Sequence, residues 1–305
     1  MIPISFISIT DLEPDAMKGV IEYAANTKNS PQPQVLAGKN LALIFEKPSL
    51  RTRVSFEVAI NQLGGHPLYL SPEEVGLGKR EPVEDVATVL GRYVDCIIAR
   101  TFAHSSVETL ARYGNVPVIN ALSDYEHPCQ ALADMLTIYE KKGRLKGLSL
   151  AYVGDGNNVA HSLLLAAVMA GMHVRLASPD GYEVSPHIMR KAAEIAAASG
   201  SQISTDKDPL KAVKGCDVIY TDVWVSMGQE KEAEKRRSIF QNYQVDEKLL
   251  SVAGSDVILM HPLPAHHGEE VAPGVLRLSA SVVFDQAENR LYAQRALFVH
   301  MFRGV

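Results

Sequence analysis

The chain has no run of about eighteen apolar residues of the kind that crosses a membrane. Its first residues, MIPISFISITDLEPD, carry no basic segment ahead of a long apolar core. A membrane or secreted protein is therefore not expected, and a cytoplasmic one is. Cysteine is scarce: Cys96, Cys129 and Cys216 are scattered and odd in number. A disulfide framework and a structural zinc cluster are not expected, and a reducing compartment suits such a chain. Positive charge is not in excess either. The formal net charge is -5, so no basic stripe is available to neutralise a nucleic-acid backbone. Local pockets for small anions remain open, since a few arginine forks suffice for one. Internal repeats, low-complexity tracts and Pro/Ser-rich linkers are missing as well.

What is present suits a globular protein of two ordinary domains, with 305 residues that are 47% apolar and 21% charged. Short β-branched runs alternate with helical periods. A first helix shows Met17, Val20, Ile21 and Ala24 on one face, and Thr10 with Glu13 is spaced as a capping box ahead of it. Strands are expected over 41–45, 68–70, 96–99 and 116–120, with helices over 51–63, 82–93 and 107–113 between them. Residues 127–142 read as one long helix ending at Gly143. A second series follows, with strands at 148–153, 174–177, 202–205, 218–221 and 257–260. Its helices fall near 159–171, 186–199, 229–240 and 246–253, and 288–303 is amphipathic. Parallel strands need helical crossovers, so the fold class is α/β. Two doubly wound parallel-sheet domains are expected to face a shared cleft, with the boundary near 135–145.

The polar clusters stand just after expected strands. Ser49-Leu50-Arg51-Thr52-Arg53 lies where a strand runs into a helix. Two guanidinium groups, two hydroxyls and the first helical N–H groups would converge there on a phosphate dianion. The same residues also read as an N-cap followed by solvated arginines. Arg100-Thr101, His127-Pro128-Cys129-Gln130, the run from Gly154 to Asn158, the run from Asp222 to Gly228, and His261-Pro262-Leu263-Pro264 repeat the pattern. Five coincidences on one edge of two sheets describe an active site. Taken singly, Arg100 reads as a surface residue and His127-Pro128 as a helix start. Gly154 and Gly156 make half of a dinucleotide fingerprint, but the third glycine and the following acidic residue are missing, so NAD is not expected. Asn157 and Asn158 read as hydrogen-bonding groups for a polar ligand or as turn residues. Trp224, the only tryptophan, is expected to pack. His266 and His267 with Glu269 and Glu270 lack metal-helix spacing and read as a solvated loop.

Over essentially its full length the chain resembles the aspartate/ornithine carbamoyltransferase family. SLRTR is similar to that family's Ser-Thr-Arg-Thr-Arg carbamoyl-phosphate loop, HPCQ to its second signature, and DVWVSMG to the loop of its ornithine branch. The resemblance implies a carbamoyl-phosphate domain over 1–140, an ornithine domain over 141–286, and a C-terminal helix over 287–305 returning to the first domain. It implies transfer of a carbamoyl group from carbamoyl phosphate to the side-chain amine of L-ornithine, giving L-citrulline and phosphate. Ser49, Leu50, Arg51, Thr52 and Arg290 would hold the phosphate. Arg100 and His127 would donate to the carbonyl oxygen, while Gln130 and the Pro262-Leu263 backbone would orient the carbamoyl NH2. Asn158, Asp222, Ser226 and Met227 would bind ornithine, and Arg100, His127 and Asp222 form the implied catalytic set. The leaving phosphate can take the amine's proton, so no metal or cofactor is expected. A homotrimer, or a multiple of trimers, is implied.

Three departures stand out. Leu50 replaces a threonine, Gly76 in the stretch 73–80 (EEVGLGKR) replaces a hydrogen-bonding side chain of a loop that reaches a neighbouring subunit, and Pro262 replaces the ornithine branch's cysteine. HPLP is the spelling of aspartate enzymes. Rival readings are a carbamoyltransferase for another amine (putrescine, an acylated ornithine or aspartate), a silent binding paralogue, and a nicotinamide-dependent dehydrogenase.

Overall fold

The computed structural model describes residues 5–226 and 228–303. The chain divides into two compact units, one of Met1–Leu136 with Glu288–Val305 and one of Thr137–Ala287. In the first, α1 (Pro14–Thr27) precedes β1 (Asn40–Phe45), α2 (Leu50–Gln62), β2 (His66–Leu70), α3 (Pro72–Val75) and α4 (Val83–Leu90). Then come β3 (Cys96–Arg100), α5 (His104–Tyr113), β4 (Val118–Leu122) and α6 (Pro128–Lys142). The four strands pair in parallel in the order β2-β1-β3-β4. From Leu41 to Phe45 every residue of β1 is buried, as a strand covered on both faces must be. Ala42, Ile44, Ile97 and Ala99 pack with Val86, Ala87, Val107 and Leu110 to form one core layer.

Local chemistry shifts several boundaries. Thr10 and Glu13 do not form a capping box. Ser8 caps a 3-10 turn at Ile9–Asp11 instead, and the Asp11 carboxylate accepts from the Ile7 and Ser8 amides, while Pro14 at the first helical position starts α1. The strand expected at 116 begins at Val118, after Pro117, which has no N–H for a ladder. The helix expected to reach 93 stops at Leu90. The Gly91 backbone there lies against the Gly114 carbonyl, and a Cβ would come within 1.5 Å of it. Part of the 73–80 stretch is helical: α3 is a single turn, closed by a capping box of Ser71 and Glu74.

The second unit runs through β5 (Ser149–Val153), α7 (Asn158–Met169), β6 (His173–Ala177), α8 (Pro186–Ser199), β7 (Ile203–Asp206) and α9 (Pro209–Val213). It continues with β8 (Val218–Thr221), α10 (Ala233–Phe240), α11 (Glu247–Val252) and β9 (Ile258–Met260). Helix α12 (Val283–Arg303) follows, and from Glu288 onward it belongs to the first unit. Its Phe298 ring meets Phe56 edge-on at 6.0 Å, and Arg295 donates to Gln62 Oε1 and the Thr27 carbonyl. The second sheet is also parallel, ordered β7-β6-β5-β8-β9. Helix α9 is not evident from the sequence, because five residues cannot show a helical period.

Both sheets therefore reverse direction once, between β1 and β3 in the first unit and between β5 and β8 in the second. Connections leave in opposite senses at such a point, and a crevice opens beyond the strand carboxyl ends, where ligands of doubly wound sheets bind.

Candidate active site

At the reversal of the first sheet, β1 leads into Ser49, and β3 ends at Arg100. Ser49 is the extended N-cap of α2. Its Oγ donates to Thr52 Oγ1 at 3.0 Å and accepts the Thr52 amide at 3.4 Å. Arg290, brought in by α12 from 238 positions away, donates to the same Thr52 Oγ1 at 2.8 Å. Arg53 does not join them. Its Nε sits 2.9 Å from Glu57 and its guanidinium stacks on Tyr69, because residues two apart on a helix face different ways. The convergence of two arginines expected from this loop is therefore corrected: Arg51 remains, and the other cations come from elsewhere.

Those others are Arg100 and Arg290, 5% and 3% exposed. Burial, then Arg290 and Arg51, pull the Arg100 guanidinium down to about 9. Burial also lowers Arg51. Among the described residues neither Arg51 nor Arg100 has a carboxylate at ion-pair distance, and Arg100 Nε makes no hydrogen bond. His127, which precedes α6, is buried. Burial, then Arg290 and Arg100, hold it well below the ordinary imidazole range, so it is neutral at pH 7. Gln130 donates its amide to Asp134 Oδ1 at 2.8 Å, which leaves Oε1 as an acceptor with no hydrogen-bond donor. Cys129 is buried and pushed up to about 12, a thiol and not a nucleophile. Leu50 is 76% exposed at the first position of α2, where only its backbone N–H can serve.

At the reversal of the second sheet, β5 opens into the loop from Gly154 to Asn157, and β8 into the loop from Asp222. Gly156 is required there: a Cβ would lie 2.2 Å from the Val184 nitrogen. Asn157 caps α7 by accepting from Val159 and Ala160, and its Nδ2 donates to Asp222 Oδ2 at 2.8 Å. Asn158 is the first residue of α7, half-buried, and its Oδ1 accepts the Val159 amide. Asp222 is 6% exposed. Burial raises its pKa, against His261 and the Asn157 hydrogen bond, which lower it. A cation set beside it would relieve that cost. Ser226 is half-buried, with its amide on Gln229 Oε1 at 3.1 Å. Met227 lies outside the described residues. Trp224 packs as expected, stacked on Phe240 with centroids 5.9 Å apart.

The stretch read as a solvated loop is in part a buried network. Glu270 and His261 are fully buried, with Nε2 and Oε1 3.0 Å apart. The Leu263 amide donates to His261 Nδ1 at 2.9 Å, so the imidazole proton is on Nε2 and points at Glu270. Burial raises Glu270, but hydrogen bonds from His261 and the His266 amide outweigh it and leave the acid lowered. Pro262 is buried and Leu263 has a φ of 56°, a conformation that bulky side chains rarely adopt. His261 and Glu270 thus shape the turn that carries Pro262 and Leu263. The repeated histidines and glutamates were visible in the sequence, but which of the two glutamates turns inward was not.

Comparison with known proteins meets this geometry. Residues 5–140 match the carbamoyl-P binding domain of aspartate/ornithine carbamoyltransferase, and residues 146–301 match the Asp/Orn binding domain of the same family. An ornithine carbamoyltransferase of Thermococcus kodakarensis is 57% identical over 272 residues, covering 89% of this chain and 86% of that protein. One of Pyrococcus furiosus, named anabolic, is 55% identical over the same shares of the two chains. The solved ornithine carbamoyltransferase from Pyrococcus furiosus superposes with a TM-score of 0.96 at 50% identity, covering 100% of this chain and 98% of that one. On the strength of both domain matches and these relatives, the chain belongs to the aspartate/ornithine carbamoyltransferase family.

Proposed function

We propose that this protein transfers the carbamoyl group of carbamoyl phosphate to the side-chain amine of L-ornithine, producing L-citrulline and phosphate. The observation that carries the reading is the crowding of Arg290 and Arg51 against Arg100, which add to burial in lowering its basicity at the switch point of the first sheet. A dianion seated there turns mutual repulsion into three attractions. Ser49, Thr52, Arg51, Arg290 and the Leu50 amide hold the phosphate, with the first helical N–H groups adding partial positive charge. Arg100 and neutral His127 donate to the carbamoyl oxygen, where negative charge grows as the tetrahedral intermediate forms. Gln130 Oε1 accepts from the carbamoyl NH2.

The amine of ornithine has a lysine-like pKa of about 10.4 in water and must attack in its neutral form. Its nitrogen bonds to the carbonyl carbon, the carbon–oxygen bond to phosphate breaks, and the phosphate carries away the amine's proton. Asp222 receives an ammonium of ornithine; Asn158, Ser226 and Met227 complete the proposed set for the amino-acid head group. The anabolic name of the Pyrococcus furiosus relative supports the biosynthetic direction.

A second reading rests on Pro262, which has the spelling of aspartate enzymes. Assay of the purified chain with carbamoyl phosphate against ornithine, putrescine, an acylated ornithine and aspartate separates the two. Citrulline from ornithine at the highest kcat/KM is expected, and none from ornithine would refute the first reading. A homotrimer belongs to the same proposal, and light scattering should give three chains of 33.2 kDa each. So does a cytoplasmic setting, which the three free, buried cysteines support.

A further inference from the structure

Two loops of the second unit position the proposed ornithine groups: residues 154–157 after β5, which lead into Asn158 at the start of α7, and residues 222–226 after β8, which hold Asp222 and Ser226. Besides the Asn157–Asp222 hydrogen bond, one side chain joins them. Arg236 on α10 donates through one nitrogen to Asp155 Oδ2 at 2.9 Å and to the Trp224 carbonyl at 2.9 Å. Its guanidinium lies 4.8 Å from the centre of the Tyr182 ring, and Gly156 donates to the Tyr182 carbonyl at 2.8 Å. Phe240, one turn further along α10 and on the same face, takes the Trp224 ring. Helix α10 therefore grips the second loop twice, by backbone and by side chain, two residues before Ser226.

A merely structural ion pair explains this arrangement poorly. The side chains of Asp155 and Arg236 are 8% and 7% exposed, and burying two charges costs about as much as their attraction returns. Burial raises Asp155 to about 6 despite the arginine beside it, so the pair leaves its carboxylate incompletely compensated. Apolar residues of similar volume would serve stability as well or better. What they would lack is a donor able to meet a carboxylate on one loop and a carbonyl on the other.

We propose that Arg236 is a positioning residue for ornithine: it ties the two loops into one register and thereby sets ornithine affinity, without touching the substrate. The inference rests on the function proposed above. Arg236→Met and Asp155→Asn in the full chain test it, with steady-state kinetics for each substrate and calorimetry for carbamoyl phosphate. Arg236→Met should raise the KM for ornithine about thirtyfold while changing kcat less than about threefold. Carbamoyl phosphate affinity should stay within about twofold, because its proposed residues other than Pro262 and Leu263 stand in the other unit. Asp155→Asn keeps an acceptor but loses the charge, and should raise the ornithine KM about fivefold. In the double variant the two effects should be less than additive. An unchanged ornithine KM in Arg236→Met, or equal loss for both substrates, overturns the proposal. Should Arg236→Met fail to melt cooperatively, Asp155→Asn decides alone, and an unchanged ornithine KM there overturns it. A wild-type chain making no citrulline would bring down both readings, whereas an active wild type with an indifferent Arg236→Met brings down only this one.

Discussion

The two units meet their proposed substrates with opposite electrostatics on the same scaffold. In the first, the charges belong to regular elements: Arg100 ends a strand, Arg51 opens a helix, and Arg290 lies within one. Among the described residues Arg51 and Arg100 have no carboxylate at ion-pair distance, an arrangement that suits the anion proposed there. In the second, the buried carboxylate of Asp222 stands at the head of a loop whose course is held by Asn157, Arg236 and Trp224. A dianion repays three crowded cations at any approach, so its pocket can be rigid. An amino acid with several polar groups needs its partners in register, and loops supply that only when other side chains brace them.

That contrast can be broken most directly at Arg100. Arg100→Met should lower kcat/KM about a thousandfold, since it removes charge both where phosphate binds and where oxyanion character develops. An effect under about tenfold would mean that the crowded cations are not the anion site. Asp222→Asn should lower kcat/KM for ornithine about a hundredfold and leave calorimetric phosphate binding alone. If phosphate binding fell as far, the division of labour between the units would be wrong. Arg51→Ala should weaken carbamoyl phosphate about thirtyfold through loss of a charge-assisted pair, with little change in the ornithine KM. Equal affinities in calorimetry would contradict that role.

Smaller effects sharpen the comparison. Pro262→Cys should leave the enzyme active while shifting its ornithine KM or pH profile by no more than about tenfold; if every kinetic parameter were untouched, a thiol at this position would be irrelevant. The last effect concerns stability. The pKa of His127 lies below its unfolded value near 6.5, so the native state binds the proton less readily than the unfolded chain. The stability that its neutral form contributes is present above pH 6.5 and is lost as pH falls below it. Denaturant titrations of the wild type should show a steeper loss from pH 7 to pH 5 than those of His127→Gln. Parallel curves would show that His127 is not held neutral.

Much of this was readable from the chain because it depends on near neighbours. Apolar runs bounded by glycine and polar residues mark the parallel strands, and polar residues after them mark the carboxyl edge. Boundaries failed where a single residue overrode the pattern, as Pro14, Pro117 and Gly91 did. Arg53 parts from Arg51 because two 100° steps of the helix expected over 51–63 turn it to another face. Arg290 was reachable only through resemblance, since nothing local links it to Thr52. His261 with Glu270, and Arg236 with Asp155, gave no signal that they are buried and paired.

What the sequence decided alone is the alternation that makes two parallel sheets and the residue types waiting at their carboxyl ends; period, propensity and capping act within a few positions. Tertiary structure alone decided which of those charges lose water and face one another. Desolvation and Coulomb attraction act through space, so groups 238 positions apart can share one hydroxyl while arginines two apart part company.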